Sequence, residues 1–191
     1  YKFTQWSDGN TENPRTVTAT ADVTYTAEFA PIPTQHVLVD GIYYNFDVEN
    51  KTATVTNNGS DDPWNNPSYS GDVVIPATVN YEGMTFEVLT IGQYAFFFAY
   101  EVTSVDIPEG VVRIETKAFA DCGFKEITLP TSIQSIASYA FNYGMMPINN
   151  ITLLAPTPPT IGDRAFGYTD SEYDEMTCTI HIPCGTLETY L

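Results

Sequence analysis

Basic residues are scarce in this sequence. Seven Lys and Arg stand against 24 Asp and Glu, for a formal net charge of −17 over 191 residues. A field of that sign repels phosphate backbones and anionic headgroups, which argues against nucleic-acid binding and membrane-surface binding. It suits solubility outside a cell and loose association with divalent cations. Histidine is rarer still: only His36 and His181 occur, and there is no G-x-S-x-G stretch, so a hydrolase would lack its nucleophile and base. The cysteines, Cys122, Cys178 and Cys184, are too few and odd in number for a disulfide framework. Cys178 and Cys184 are close enough in sequence to pair; otherwise each cysteine reads as a buried thiol. No apolar run reaches about 18 residues, so no helical membrane span is expected. The first residues, YKFTQWSDG, lack the pattern of a signal peptide and read as mid-domain sequence, as if excised from a longer chain.

What the chain does have is a strand-forming palette: 13 Tyr, 11 Phe and frequent Thr, Val and Ile. It also has internal repeats. IGQYAF (91–96), IETKAF (114–119), IASYAF (136–141) and IGDRAF (161–166) place Phe at 96, 119, 141 and 166, in steps of 23, 22 and 25. Between them lie short alternating runs, VVIP (73–76), VDIP (105–108), ITLP (127–130), ITLL (151–154) and IHIP (180–183). A unit of that length cannot bury its own apolar face, so units must stack around a shared core. The alternating runs predict strands, ended by proline, which has no amide donor. The Ile-x-x-x-Ala-Phe segments predict tight, partly helical turns that plug the core with Ile and Phe. The fold class expected is therefore a solenoid, mainly β with short helical turns, of about four to five units.

Alternation fixes the side of each strand residue. Inward rows are predicted at Val102/Phe124/Ile148, Val105/Ile127/Ile151/Ile180 and Ile107/Leu129/Leu153/Ile182. The outward row is Val74, Asp106, Thr128, Thr152 and His181, flanked by Asp72, Ser104, Glu126, Asn150 and Thr179.

Upstream, residues 36–58 predict two strands around a polar Glu-Asn-Lys turn, and residues 36–72 together predict a β-hairpin cap for the open end of the first coil. Glu82-Gly83 predicts a further turn. Residues 1–29 carry no Ala-Phe unit; their Thr/Val alternation predicts two or three strands. Two prolines in 30–35 predict an extended linker. The organisation expected is thus a small β module (1–29), linker (30–35), cap (36–72) and repeats (73–191).

DGIYYNF, YSGDVVIPATVNYEG and the repeated I-G-x-x-A-F-x-x-C followed by L-x-x-V-x-I-P resemble the BspA-like leucine-rich repeat family over residues 37–183. Cys122 in AFADC stands at the family's Cys position; Ala99, Gly144 and Thr169 replace it in the other units. CTIHIPCGTLETYL is similar to the family's last strand and closing Tyr segment. Residues 1–29 resemble the back half of a Listeria–Bacteroides repeat through F-x-x-W-S-D-G, NPR and Y-T-A-E-F. The resemblance implies a secreted or surface-anchored bacterial protein of a Bacteroides-like organism. Its implied role is adhesion or ligand binding, some relatives binding host matrix proteins, and it implies no enzymatic activity.

The remaining polar and aromatic residues bear on possible sites. His181 sits in the outward row, and Pro183 interrupts the strand between it and Cys184, so the two do not form a catalytic pair. NNGSDD (57–62) and DSEYDE (170–175) are oxygen-rich but do not match a twelve-residue calcium loop. No catalytic residue, metal site or cofactor is therefore expected. Trp64, Tyr69, Tyr100, Tyr168 and Tyr173 fall in predicted loops and are the candidates for a glycan platform, while Phe97 and Phe98 are expected to pack locally. The candidate ligand-binding face is the polar strand row: Asp72, Ser104, Asp106, Glu126, Thr128, Asn150, Thr152 and His181. Its negative charge favours a protein partner with a basic patch. An accessory carbohydrate-binding role and a structural spacer are the alternatives.

Overall fold

A computed structural model of the chain describes residues 1–18, 20–60, 68–141, 148–167 and 178–190. These residues form two compact units, Tyr1–Pro33 and Thr34–Leu191. In the first, strands β1 (Lys2–Trp6) and β2 (Ala27–Ala30) pair antiparallel, with Phe3 opposite Phe29. The Phe3 ring meets Trp6 at 5.4 Å and Phe29 at 6.0 Å between centroids. Arg15 lies 4.0 Å from the Tyr25 ring centroid and donates to both oxygens of Asp8, at 2.8 and 3.0 Å. The Thr/Val stretch after it forms no strand among the described residues. Val17 and Val23 are exposed, so the alternation there has no apolar face to bury.

In the second unit the N-terminal part folds as three strands rather than the two predicted. β3 (Val37–Val39) pairs antiparallel with β4 (Ile42–Asp47), and β4 with β5 (Thr52–Thr56). The missed turn is Asp40-Gly41, at φ 48° and 85°. Both residue types tolerate the left-handed region that a two-residue hairpin requires. Next come β6 (Gly71–Val74) and a hairpin of β7 (Thr78–Tyr81) and β8 (Met84–Ile91), turning at Glu82-Gly83 as predicted. Beyond β8 the strands are β9 (Val102–Asp106), β10 (Arg113–Ile114), β11 (Glu126–Leu129), β12 (Ser135–Ile136), β13 (Asn150–Leu153), β14 (Thr160–Ile161) and β15 (Thr179–His181).

Two parallel walls result. One runs β14-β12-β10-β8-β5 and continues antiparallel into β4 and β3. Strands β3, β4 and β5 thus extend this wall beyond β8. The other wall consists of β6–β9 and β11–β13–β15, each group paired in parallel. Inward residues of both walls belong to one hydrophobic cluster, which includes Ile91, Ile114 and Ile136 from the first and Val105, Ile127 and Ile151 from the second.

The predicted inward rows are buried through the middle coils, with Val102, Phe124, Ile148, Leu129 and Leu153 all at 3% exposure or less. Ile180 departs from its row and is 39% exposed. It lies on β15, which among the described residues is the edge strand of its sheet and pairs with β13 alone.

The Ile of each Ile-x-x-x-Ala-Phe copy does not begin a helical turn. Ile114, Ile136 and Ile161 end two-residue strands, and Ile91 ends β8. The turn that follows has an i→i+3 bond, as from Ala118 N to Glu115 O at 3.2 Å. Its third residue is left-handed: Tyr94, Lys117, Tyr139 and Arg164 have φ between 54° and 59°. A left-handed residue cannot propagate a right-handed helix, which is why the segment stays a turn. Short helical turns are therefore replaced by left-handed turns; among the described residues the one α-helix is α1 (Leu187–Tyr190).

Three of the Phe amides then bond to the next coil's Ala carbonyl, Phe96 to Ala118 at 2.7 Å, Phe119 to Ala140 at 2.8 Å and Phe141 to Ala165 at 2.9 Å. This brings the rings into a stack. Centroids lie 5.1 Å apart for Phe96–Phe119, 5.4 Å for Phe119–Phe141 and 5.8 Å for Phe141–Phe166, with interplanar angles of 17°, 9° and 15°. Tyr69 closes the stack against Phe96 at 4.5 Å. The left-handed residues form a second column at the surface. Lys117 Nζ lies 5.9 Å from the ring centroids of Tyr94 and of Tyr139, and Arg164 Cζ lies 6.0 Å from Tyr139. Phe97 and Phe98 pack locally against Ala120 and Tyr94, as expected.

Candidate functional site

Parallel pairing places like positions of successive coils side by side. Glu126 pairs with Asn150 and Asn150 with Thr179; Thr128 pairs with Thr152 and Thr152 with His181. β9 packs beside β11 and carries Ser104 and Asp106 into the same surface. Seven of the eight predicted residues, Ser104, Asp106, Glu126, Thr128, Asn150, Thr152 and His181, line one shallow depression of about 590 Å³. His181 Nε2 lies 3.4 Å from Asn150 Oδ1, which orients the ring along the strand face. The Asp106 and Glu126 carboxylates make no ion pair among the described residues.

Asp72 is set apart from the depression. A bulge between Gly71/Val102 and Asp72/Ser104 leaves Thr103 as an extra residue on β9. Asp72 Oδ1 accepts hydrogen bonds from Thr103 Oγ1 at 2.6 Å and Ser104 Oγ at 2.7 Å. The Thr103 bond, followed by that from Ser104, holds the Asp72 carboxyl below the usual carboxylate range. Its role on this face is to fix two hydroxyls, one of which lines the depression.

The five aromatics considered for a glycan platform do not assemble among the described residues. Tyr69 is buried, with its hydroxyl donating to the Thr56 carbonyl and its ring on Phe96. Burial removed it from the surface that a loop position had suggested. Tyr100 is 47% exposed; Trp64, Tyr168 and Tyr173 lie outside the described residues. Cys122 is fully buried and its Sγ approaches the Phe96 carbonyl at 3.0 Å. Burial, then the neighbouring Asp121, pushes its thiol far above the usual range. Cys178 is half-buried, Cys184 exposed, and neither is bonded to the other. Among the described residues no three His, Cys, Asp or Glu side chains converge on a metal-sized site. The 170–175 segment and the Asp61-Asp62 end of the 57–62 segment lie outside those residues. No described helix is long and apolar enough to cross a membrane.

A second polar groove lies on the other wall and was missed from the sequence. His36, Asn45, Thr56, Asn57, Thr90 and Arg113 line it, in a volume of about 480 Å³. The signal was present: Thr90, Arg113, Ser135 and Thr160 each immediately precede the Ile of a repeat copy. Reading those copies as turns hid the row, because a turn has no regular outward side.

Comparison with known proteins bears on the repeats. The family model for the BspA type leucine rich repeat region matches residues 87–182 in six copies. A leucine-rich repeat protein from Bacteroides capillosus is similar at a TM-score of 0.56 and 22% identity, covering 77% of this chain and 97% of that one. One from Bacteroides ovatus is 20% identical at a TM-score of 0.30, covering 69% of this chain and 50% of its own. The pneumococcal vaccine antigen PcpA is 16% identical at a TM-score of 0.41, covering 80% of this chain and 51% of its own. The chain thus spans about half the length of the last two. No curated protein matches it.

Proposed function

Because this chain belongs to the BspA-type leucine-rich repeat family, we propose that it is a non-catalytic recognition module of a secreted or surface-anchored bacterial protein. Its ligand on this reading is a protein bearing a basic patch. The single observation that carries the reading is the depression on the strand face, which gathers seven polar residues, two of them carboxylates without ion pairs among the described residues. Parallel coils hold those groups in fixed register, so the face is pre-organised and loses little freedom on binding. The resemblance of residues 1–29 to a Listeria–Bacteroides repeat fits a modular surface protein.

The test is a screen of the chain against an array of extracellular-matrix and bacterial surface proteins. Binding should weaken with rising salt, because the attraction between the acidic face and a basic patch is screened. The double charge reversal Asp106→Lys with Glu126→Lys should abolish it. Binding that survives the double reversal places the contact elsewhere on the chain and defeats this reading.

A further inference from the structure

The wall opposite the strand face carries its own outward row, with different chemistry. Thr54, Thr90, Arg113, Ser135 and Thr160 are successive register partners across five parallel strands. The groove that contains Thr90 meets a second one, of about 330 Å³, at Arg113 and Glu115. One trough therefore runs along the wall with a single cation near its centre. In a chain with only seven Lys and Arg, that guanidinium makes no ion pair among the described residues, not even with neighbouring Glu115.

The lining is built rather than incidental. Thr56 and Thr90 are 4% and 5% exposed, face the groove, and their hydroxyls make no hydrogen bond within the described protein. Their oxygens are not sealed in the core, since the one buried side-chain oxygen left without a hydrogen bond among the described residues is Asp121 Oδ2, so both hydroxyls can bond a group lying in the groove. At one end His36 is held in a left-handed conformation, φ 50°. Its amide donates to Asn45 Oδ1 at 2.7 Å, and its Nδ1 lies 2.9 Å from the Asn57 carbonyl oxygen. Gly59 leaves room for the ring, since a Cβ there would stand 2.9 Å from His36 Cγ. The ring is thereby held at the end of the groove, which it lines.

The trough does not suit a peptide. The backbone of these strands is already paired within the wall, so no strand can add to its face. The lining offers hydroxyls, amides, one guanidinium and the Glu115 carboxylate, without the apolar pocket that anchors a peptide side chain. Hydroxyls repeating at the inter-strand spacing of about 4.8 Å match a ligand that is itself hydroxyl-rich. The net charge of −17 repels anions at long range, so the match is a local one: the Arg113 guanidinium, without an ion pair among the described residues, holds one planar carboxylate of a hydroxyl-rich chain through two parallel bonds.

We propose that this trough binds an acidic oligosaccharide, with Arg113 holding the carboxylate of a uronate residue and Thr56, Thr90 and His36 bonding ring hydroxyls. The site is separate from the strand face and stands whether or not that face binds protein. The test is calorimetric titration of the whole chain with a defined oligogalacturonate, with its uncharged methyl-esterified form, and with a poly-glutamate of equal charge. The charged oligosaccharide should bind, and the methyl ester should bind at least about tenfold more weakly, the loss of one charge-assisted pair. Arg113→Ala should reduce affinity by at least about tenfold, and Thr90→Val should reduce it in part. The Asp106→Lys, Glu126→Lys double variant should bind unchanged, which separates this site from the strand face. Arg113 is exposed, so its variant remains folded by circular dichroism even if Thr90→Val does not. No binding of the oligogalacturonate, an unchanged affinity in Arg113→Ala, or equal binding of poly-glutamate overturns the assignment.

Discussion

Replacing Phe119 with Ala should be among the most damaging single changes in the repeats. Its ring is fully buried, lies 5.1 Å from Phe96 and 5.4 Å from Phe141 in near-parallel stacks, and meets Phe124 edge-on at 5.8 Å. Truncating a buried Phe costs about 3–5 kcal/mol, from lost transfer free energy and the cavity that remains. Of this, the two stacked pairs account for about 1–3 kcal/mol, taking each aromatic pair at about 0.5–1.5 kcal/mol. Phe119→Leu, which keeps most of the apolar volume, should therefore cost about 1–3 kcal/mol. Phe166 ends the stack, has one ring neighbour among the described residues and is only half-buried, so Phe166→Ala should cost distinctly less. Urea unfolding followed by far-ultraviolet circular dichroism reads the series. With a slope of about 2 kcal/mol per molar, Phe119→Ala should lower the midpoint by about 1.5–2.5 M. Equal midpoint losses for Phe119→Ala and Phe166→Ala, or a loss below about 0.5 M for the former, would refute the claim that the stack is a cumulative support of the coils.

Further outcomes follow from local geometry. A Cβ on Gly123 would stand 2.2 Å from the Tyr100 carbonyl oxygen and 2.7 Å from that of Val102, so Gly123→Ala should lower the melting temperature sharply; a neutral effect would show that the coil can part there. Glu109 accepts bonds from the Thr131 amide and hydroxyl and from the Ser132 amide, which hold its carboxyl below the usual range. Its stabilisation is therefore complete above the ordinary carboxylate range, about pH 4.3, and is lost as pH falls below it, because the unfolded state takes up the proton first. Glu109→Gln should flatten the acid limb of a stability-versus-pH curve, and an unchanged limb counts against the clip. With a thiol reagent on the native protein, Cys184 should react first, Cys178 more slowly, and Cys122 only after unfolding; early modification of Cys122 would contradict its burial.

The strand face was legible in the sequence because its strands are long enough to alternate and their partners carry residues of like size. Val105, Ile127 and Ile151 against Asp106, Thr128 and Thr152 separate the two sides without any structure. Two features escaped for definite reasons. Arg113–Ile114 and Ser135–Ile136 are two-residue strands, too short to show a period, and exist only because neighbouring coils supply their partners. Asp72 follows Gly71 in a strand that reads as regular, yet the bulge opposite it, at Thr103, shifts its register and diverts its carboxylate to two hydroxyls. Pairing partners and bulges are properties of the assembled sheet, not of any single segment.

The surface column of left-handed residues has a longer period than the core beneath it. Every coil contributes the same Phe, so the interior is indifferent to how many coils are inserted. Outside, Tyr94, Lys117, Tyr139 and Arg164 alternate ring and cation, each cation placed over a ring. Duplicating or deleting a single internal coil would set ring beside ring or cation beside cation, while changing the interior by two coils would preserve the pattern. Insertion of internal coils in pairs thus keeps ring beside cation, a constraint carried by a column that the hydrophobic repeat does not contain.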